Sequence, residues 1–544
     1  MKKHLLVTFT ALFFASQIAW ASDIYYNITQ TQSVAEIQIG LQAAIGNATN
    51  SDKVIVTGSK TNADITLTLN ISVGKTVVWK ADYQAILNFT PSTLIMLQGD
   101  GTFEVAGGTI MATGKTMTIN SYGDNATVIV SSGTVSAASE NAIIVRGLNA
   151  KVFISGGIVS NEATGDYPVI FMGNESNKEL NIIIKGTGKV KASKDGCAII
   201  TSGNVEVNEN AEVSSEKANA IYARGSLSTI TLGGHSKVMA AGTYPAVWAS
   251  SRIEVTDNAQ INVMVGSALF SKNTVILSKN TQIKSLSETF GYFAVDAQGN
   301  VEVRDNAQIN SIQHGAIRTT SGKVIVGGFS KIVATNYCVI SADSQVEIRD
   351  NAQVITKNID GYAIVTWGDC TTVTVSGGVV FAPVPEISNI IHHCPNFTGP
   401  TDTGILLAWN KKDNTNYEIF SEDDILKSPE SVTAYWDKKG GQCGISYAYN
   451  GNTGFIPLNV TVLSVNEKNL TDTKTYPNPA TGELRVETHL NVSLQDIAMF
   501  DIVGKTVGVS PYIETNTIVM DISHLTNGIY FLRVKNEVVK IVKQ

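Results

Sequence analysis

The residues Gln345 to Val354 read Gln-Val-Glu-Ile-Arg-Asp-Asn-Ala-Gln-Val, and nearly the same words recur at Asn204 to Val213, Arg252 to Ile261 and Asn300 to Ile309. One supersecondary unit has been copied along the chain. Degenerate copies fill the gaps, from Thr229, from Thr274 and from Lys323, and in two of the three glycine enters the turn that the clear copies make with an acid and asparagine. Each clear copy joins a short alternating strand (Val346, Ile348) to a second strand from Gln353 through a turn at Asp350-Asn351-Ala352. Asparagine enters the left-handed region at small cost, so Asn210, Asn258, Asn306 and Asn351 are expected to make this turn.

The first apolar residue of each unit gives the series Val128, Val152, Ile182, Val205, Ile230, Ile253, Val275, Val301, Val324, Val346 and Val373. Val54, Val77 and Phe103 extend it backwards, making about fourteen units spaced mostly about 22 to 27 residues apart. A third apolar segment follows many pairs, as at Tyr244-Pro-Ala-Val-Trp and Tyr362-Ala-Ile-Val. Three short strands per repeat without a helix is the pattern of an all-β parallel β-helix. One coil cannot bury its inward residues alone, whereas stacked coils share a core and complete each other's backbone hydrogen bonds. At about 4.8 Å per coil, fourteen coils make a rod on the order of 65 to 70 Å long.

Residues 1–21 read as a signal peptide: Lys2 and Lys3 precede the apolar run Leu5 to Ile18, and Ala19-Trp20-Ala21 predicts cleavage between Ala21 and Ser22. No later segment has the apolar length of a membrane span. A net charge of −7 over 544 residues without a basic cluster argues against a nucleic-acid partner. The five cysteines do not make a disulfide framework. Cys197 and Cys338 read as small core residues in the place of Ala142, Ala220, Ala316 and Ala363, while Cys394 and Cys443 are a candidate pair.

The segment 22–50 holds a capping helix, announced by Ser33-Val-Ala-Glu36 and by Ile37, Leu41 and Ile45 at helical spacing. A helix leading into Lys53-Val-Ile-Val resembles the entry of right-handed parallel β-helix proteins, and the likeness covers roughly residues 33 to 385. It implies that asparagines at one corner stack in ladders, although here they fall mainly on alternate coils.

The repeats occupy 51–385, and 386–462 reads as irregular last coils or a small β cap. After a polar linker at 463–474, short apolar runs at Leu484 to Val486, Ile497 to Ile502, Ile518 to Ile522, Ile529 to Val534 and Val538 to Val542 predict a small C-terminal β-sandwich. Tyr476-Pro477-Asn478-Pro479, then Met499 to Lys505, then Leu525 to Val534 with Gly528 and Tyr530, and the terminal Lys540 to Lys543 resemble the type A sorting domain of the type IX secretion system. The resemblance covers 475–544. It implies a diderm bacterium, passage across the outer membrane through the type IX machinery as partner, and release or attachment at the surface.

Hydrolysis of a polysaccharide needs two carboxylates across the substrate, and a lyase needs a base beside cations. Such groups should interrupt a repeat, yet Asp257, Asp305 and Asp350 recur at one turn, as a structural corner does. His235 in Gly-Gly-His-Ser is replaced by Phe329 in a later unit, His314 is isolated, and His392-His393-Cys394 has no second pair at metal-finger spacing. No catalytic residue, metal site or cofactor is expected. Tyr337 and Tyr362 read as equivalent positions of neighbouring coils, and with Trp367 they are the candidate ligand-binding residues, with core packing as the competing reading. The sequence thus points to a secreted, surface-displayed solenoid with a binding, adhesive or structural role towards carbohydrate or a host surface. The alternative is a polysaccharide-degrading β-helix enzyme.

Overall fold

Strands that alternate apolar and polar residues hide one face by curling into coils and stacking. In a computed structural model the chain is described over residues 22–382, apart from 51, 88–91, 174–180, 287–290, 313, 359–360 and 368–371, over strands between 391 and 457, and over 473–544 apart from 477–479, 489–496, 502–505, 515–516 and 535–536. The signal peptide with Ala21, the motif residues Pro477, Asn478 and Pro479, and His393 and Cys394 lie outside the described residues, as does most of the linker.

The repeats form a parallel β-solenoid of about 13 turns. A typical coil has strands Arg252–Val255, Gln260–Val263 and Leu269–Ser271. The first two strands of each coil join a 28-stranded sheet and the third a 14-stranded sheet. Counterparts meet in register: Val54 pairs with Val77, Val77 with Phe103, Phe103 with Val128, and the file continues through Ile230, Ile253 and Val275 to Val346 and Val373. All of these are buried in one continuous core. The file runs one strand further at each end, to Ile24 before Val54 and to Phe397 after Val373. Region 386–462 therefore holds parallel strands of the stack, Asn396–Thr398 and Ile405–Ala408, and also the antiparallel strands Trp436–Lys439, Gln442–Tyr449 and Asn452–Pro457.

The corner differs from the sequence expectation in one respect. The residues with left-handed φ are Glu209, Asp257, Lys279, Asp305 and Asp350, each directly before an asparagine, and Gly186, Gly234 and Gly328 in the coils between. The asparagine backbone N–H carries the stack instead: Asn258 donates to the Gly234 carbonyl, Asn280 to Asp257 and Asn306 to Lys279, at 2.8, 2.8 and 2.9 Å. The acidic side chain takes up the N–H left over at the preceding corner. Gly186 N–H donates to Glu209 (2.9 Å), Gly234 to Asp257 (3.0 Å), Lys279 to Asp305 (2.9 Å) and Gly328 to Asp350 (2.8 Å). An acid can thus occupy a strained conformation because its carboxylate satisfies a neighbouring backbone donor. Asparagine side chains do form a ladder, Asn306 to Asn280 to Asn258 at 3.1 and 3.2 Å, but it lies at the surface.

At the first coil, helix α1 (Val34–Asn47) starts at Ser33, whose hydroxyl accepts from Glu36 N–H while the Glu36 carboxylate accepts from Ser33 N–H. Its apolar stripe, Val34, Ile37, Leu41 and Ile45, closes the core. Its polar side seals a sheet edge: Gln38 accepts from Thr68 N–H (2.9 Å), and Gln42 accepts from Asn70 N–H and donates to Asn70 carbonyl, both at 3.0 Å. Two glutamines one helical turn apart do the work of a missing strand. Beside them Asp52, 6% exposed, accepts from Thr49 N–H and Ser22 N–H, both at 2.8 Å.

A separate compact unit holds the C-terminal residues. Two four-stranded antiparallel sheets contribute Leu484, Val486 and Met520 from one and Met499, Leu532 and Ile541 from the other to a single core, which is a small sandwich. Gly528 opens the strand Gly528–Val534 that carries Tyr530, which is buried and donates from its hydroxyl to Thr526 carbonyl (2.8 Å). Tyr476 is 39% exposed.

Two stability outcomes follow from the corner and the cap. Asp305→Ala should be less stable than Asp305→Gly by about 1 kcal/mol, because alanine bears the cost of left-handed φ that glycine escapes. Asn306→Leu, at an exposed position, should melt close to the parent; a large loss there would place the asparagine ladder above the acid in importance. The backbone donors Thr49 and Ser22 hold the Asp52 carboxyl below its usual range. Its stabilisation is therefore present above the unfolded pKa of about 3.9 and is lost as pH falls through the lower folded value. Thermal melting of Asp52→Asn should show a deficit near neutrality that closes in acid, and a deficit that does not change with pH would contradict this role. In a chain cut before Ser22 the same nitrogen is the α-ammonium, and the hydrogen bond becomes an ion pair.

Candidate binding surface

From Ile143–Val145 to Ile364–Thr366 the third strand of each coil is three residues long, so its two outer members point into the core and its middle member points out. Read through the register, the middle residues are Phe171, Ile200, Tyr222, Trp248 and Phe270, followed by Asp296, Arg318, Ser341 and Val365. A file of large side chains thus crosses five consecutive coils on the outer face of this sheet. Tyr222 and Trp248 meet edge to face with centroids 4.6 Å apart, and Trp248 and Phe270 stack at 5.9 Å and 11°. All five are half-buried, leaving ring surface open to solvent.

Cations sit on the rings. The Arg224 guanidinium is 5.6 Å from the Phe171 ring centre and the Lys272 ammonium 5.3 Å from that of Trp248. Arg146 covers Tyr122 at 5.9 Å. Each of the three follows a third strand directly, and its N–H still donates to the coil before: Arg146 to Ser121, Arg224 to Thr201 and Lys272 to Ala249.

The file ends where the repeat changes character. Asp296, 7% exposed, is gripped by Arg318 of the next coil through Nε at 3.0 Å and through Nη2, and the same guanidinium lies 5.2 Å from the Phe293 ring. Both carboxylate oxygens are engaged. His314 is buried, a ring nitrogen accepting from Gly291 N–H at 2.9 Å, and burial lowers its pKa, which keeps it neutral.

Beyond this break lie the residues expected from sequence. Tyr337 and Tyr362 are not at equivalent positions: Ile340 pairs with Ile364, so Tyr337 stands three residues before its strand and Tyr362 two. The same register corrects the cysteines. Ile199 pairs with Ile221 and Ile317 with Ile340, so Cys197 aligns with Asn219, and Cys338 with Gly315 and Tyr362, one place before the core alanines. A shift of one residue moves a side chain to the opposite face. Cys338 is buried with Phe293 and Val365 in a small cluster outside the main core, against which Tyr337 and Tyr362 pack. Burial pushes the Cys338 thiol up to about 12 and that of Cys197 to about 11. Tyr362 stacks on His392 at 4.1 Å and 23°. Trp367 is 59% exposed and donates from its indole to Ser341 Oγ at 3.0 Å. The structure therefore brings Tyr337 and Tyr362 together in a packed cluster and leaves Trp367 at the surface near it. Sequence reading missed Phe171, Tyr222 and Phe270; the signal was the middle residue of each third strand, visible only once the strands are aligned on their flanking apolar pair.

Among the described residues no group of acidic, histidine or cysteine side chains is placed to hold a metal, and no helix is long and apolar enough to cross a membrane. Residues 474–544 match the family model of a secretion system C-terminal sorting domain, which marks this β-solenoid protein for secretion and cell-surface attachment by the type IX route. No curated protein and no solved structure matches the chain.

Proposed function

We propose that this type IX-sorted, secreted solenoid binds carbohydrate at the cell surface through the outer face of its 14-stranded sheet, without turning the ligand over. The observation that carries the reading is the contact chain Tyr222, Trp248 and Phe270, three aromatic side chains in successive coils with ring surface left open. Coils repeat about every 4.8 Å, close to the length of one sugar ring with its linkage, so an extended glycan laid along the stack meets a ring at each step. Rings present wide apolar area at low entropic cost, which suits the flat faces of sugars. The polysaccharide-degrading alternative has less to draw on here, because Asp296, the carboxylate that interrupts the file, is already spent on Arg318.

Trp248→Ala in the otherwise intact chain should weaken glycan binding about tenfold or more, as expected of a central aromatic anchor, with little change in melting. Tyr362→Ala should do the reverse, lowering stability through lost packing on His392 while sparing affinity. Binding scored on a glycan array and melting of both variants tests the pair; equal affinity for Trp248→Ala and parent sinks the assignment. Incubation with acidic and neutral polysaccharides should give no unsaturated products or new reducing ends.

The address is tested separately. A chain ending at Val462 should fold and stay in the periplasm, whereas fusion of residues 463–544 to an inert exported protein should bring that cargo out. Appearance of the shortened chain at the surface would contradict the sorting role.

A further inference from the structure

We infer that the ligand of this face is an anionic polysaccharide, bearing carboxylate or sulfate groups, held by Arg146, Arg224 and Lys272 beside the aromatic file. The inference rests on the carbohydrate reading of that file and adds the class of sugar. Its first support is a contrast in how cations are used. Several cations of the solenoid are neutralised at short range: Lys189 by Glu212 (2.9 Å), Lys217 by Asp195 (2.7 Å), Arg252 by Glu254 (2.8 Å), Lys279 by Asp257 (2.6 Å) and Arg304 by Glu302 (3.4 Å). Among the described residues Arg146, Arg224 and Lys272 make no ion pair, and each lies over a ring instead.

Position supplies the second support. All three cations follow the third strand, on one edge of the file; Asp195 and Glu216 belong to the turns before the strand, on the other edge, where Asp195 is held by Lys217, and on the cations' own edge the Asp124 carboxylate accepts from Leu148 N–H (3.2 Å). Arg224 and Lys272 are two coils apart, about 10 Å at the usual strand spacing, with uncharged Ser250 between them. A polymer whose charged groups recur at intervals of one or two sugars presents anions to that edge while its ring faces lie on Tyr222, Trp248 and Phe270. Guanidinium and ammonium groups resting on rings are already partly desolvated and pre-positioned, which lowers the cost of pairing with an incoming anion. Past Phe270 the face is self-neutralised by the Asp296–Arg318 pair, so the anionic segment is held on the coils from Arg146 to Lys272.

The test uses the full chain against polygalacturonate, chondroitin sulfate, a neutral β-glucan and single-stranded DNA at two salt concentrations. Polygalacturonate or chondroitin sulfate should bind more tightly than the neutral glucan, and added salt should weaken that binding. The double variant Arg224→Gln, Lys272→Gln should reduce affinity for the anionic glycans about tenfold or more and flatten the salt dependence, with unchanged melting, while Arg224→Lys, Lys272→Arg should restore much of it. Preference between the uronate and the sulfated polymer tells which anion is read. If the neutral glucan binds as well as the charged ones and only Trp248→Ala matters, the carbohydrate reading stands and the anionic inference falls. Equal binding of DNA with the same salt slope overturns the inference in favour of a general polyanion surface, and no binding to any glycan overturns both readings.

Discussion

Everything in the solenoid depends on one constraint: each position in a coil lies against the same position in the next, held there by parallel backbone hydrogen bonds. Apolar residues satisfy it without difficulty, and the buried file from Val54 to Val373 is the result. Charged residues do not, since like charges stacked at the spacing of strands repel. The corner resolves the conflict by alternation. Glycine or Lys279 in one coil leaves a backbone N–H to be bonded, and Glu209 or an aspartate in the next coil supplies the acceptor. Lys279 also pairs with Asp257, which its ammonium and the Gly234 N–H hold below the usual carboxylate range.

The same constraint makes a surface. An outward residue repeated over five coils becomes a line of side chains, and when those are Phe171, Tyr222, Trp248 and Phe270 the line is aromatic. The line is not uniform, because Asp296 and Arg318 replace rings with a mutually satisfied ion pair. Binding along such a surface is distributed over several coils, in contrast to chemistry, which gathers unlike groups at one point.

Fold and address were legible in the sequence because they are carried by many residues at once. Fourteen apolar positions at a steady interval fix the coils, and three motifs in order fix the sorting domain. The capping box at Ser33 and Glu36 was equally readable, being purely local. The site was not. Third strands of three residues offer a single outward position, too short for alternation to set the register, and the turns before them differ in length. Counting from tyrosines therefore put Tyr362 level with Tyr337, and Cys338 level with Ala363, each one place out. The corner misled for another reason: propensity favours asparagine at left-handed φ, but tertiary hydrogen bonding to the previous coil gave that conformation to the acid.

The borrowed acceptor at the corner has a consequence for how such a chain grows. A coil with Gly234 is complete only when the coil with Asp257 follows it, and the same dependence links Gly328 to Asp350. The smallest segment that can be duplicated or lost without orphaning a backbone donor is therefore a pair of coils, not one. The near-identical words at Asn204, Arg252, Asn300 and Gln345 keep that double step. Gene duplication in this lineage should have lengthened the protein in even numbers of coils, with the hydrogen bond between neighbours acting as the unit of inheritance.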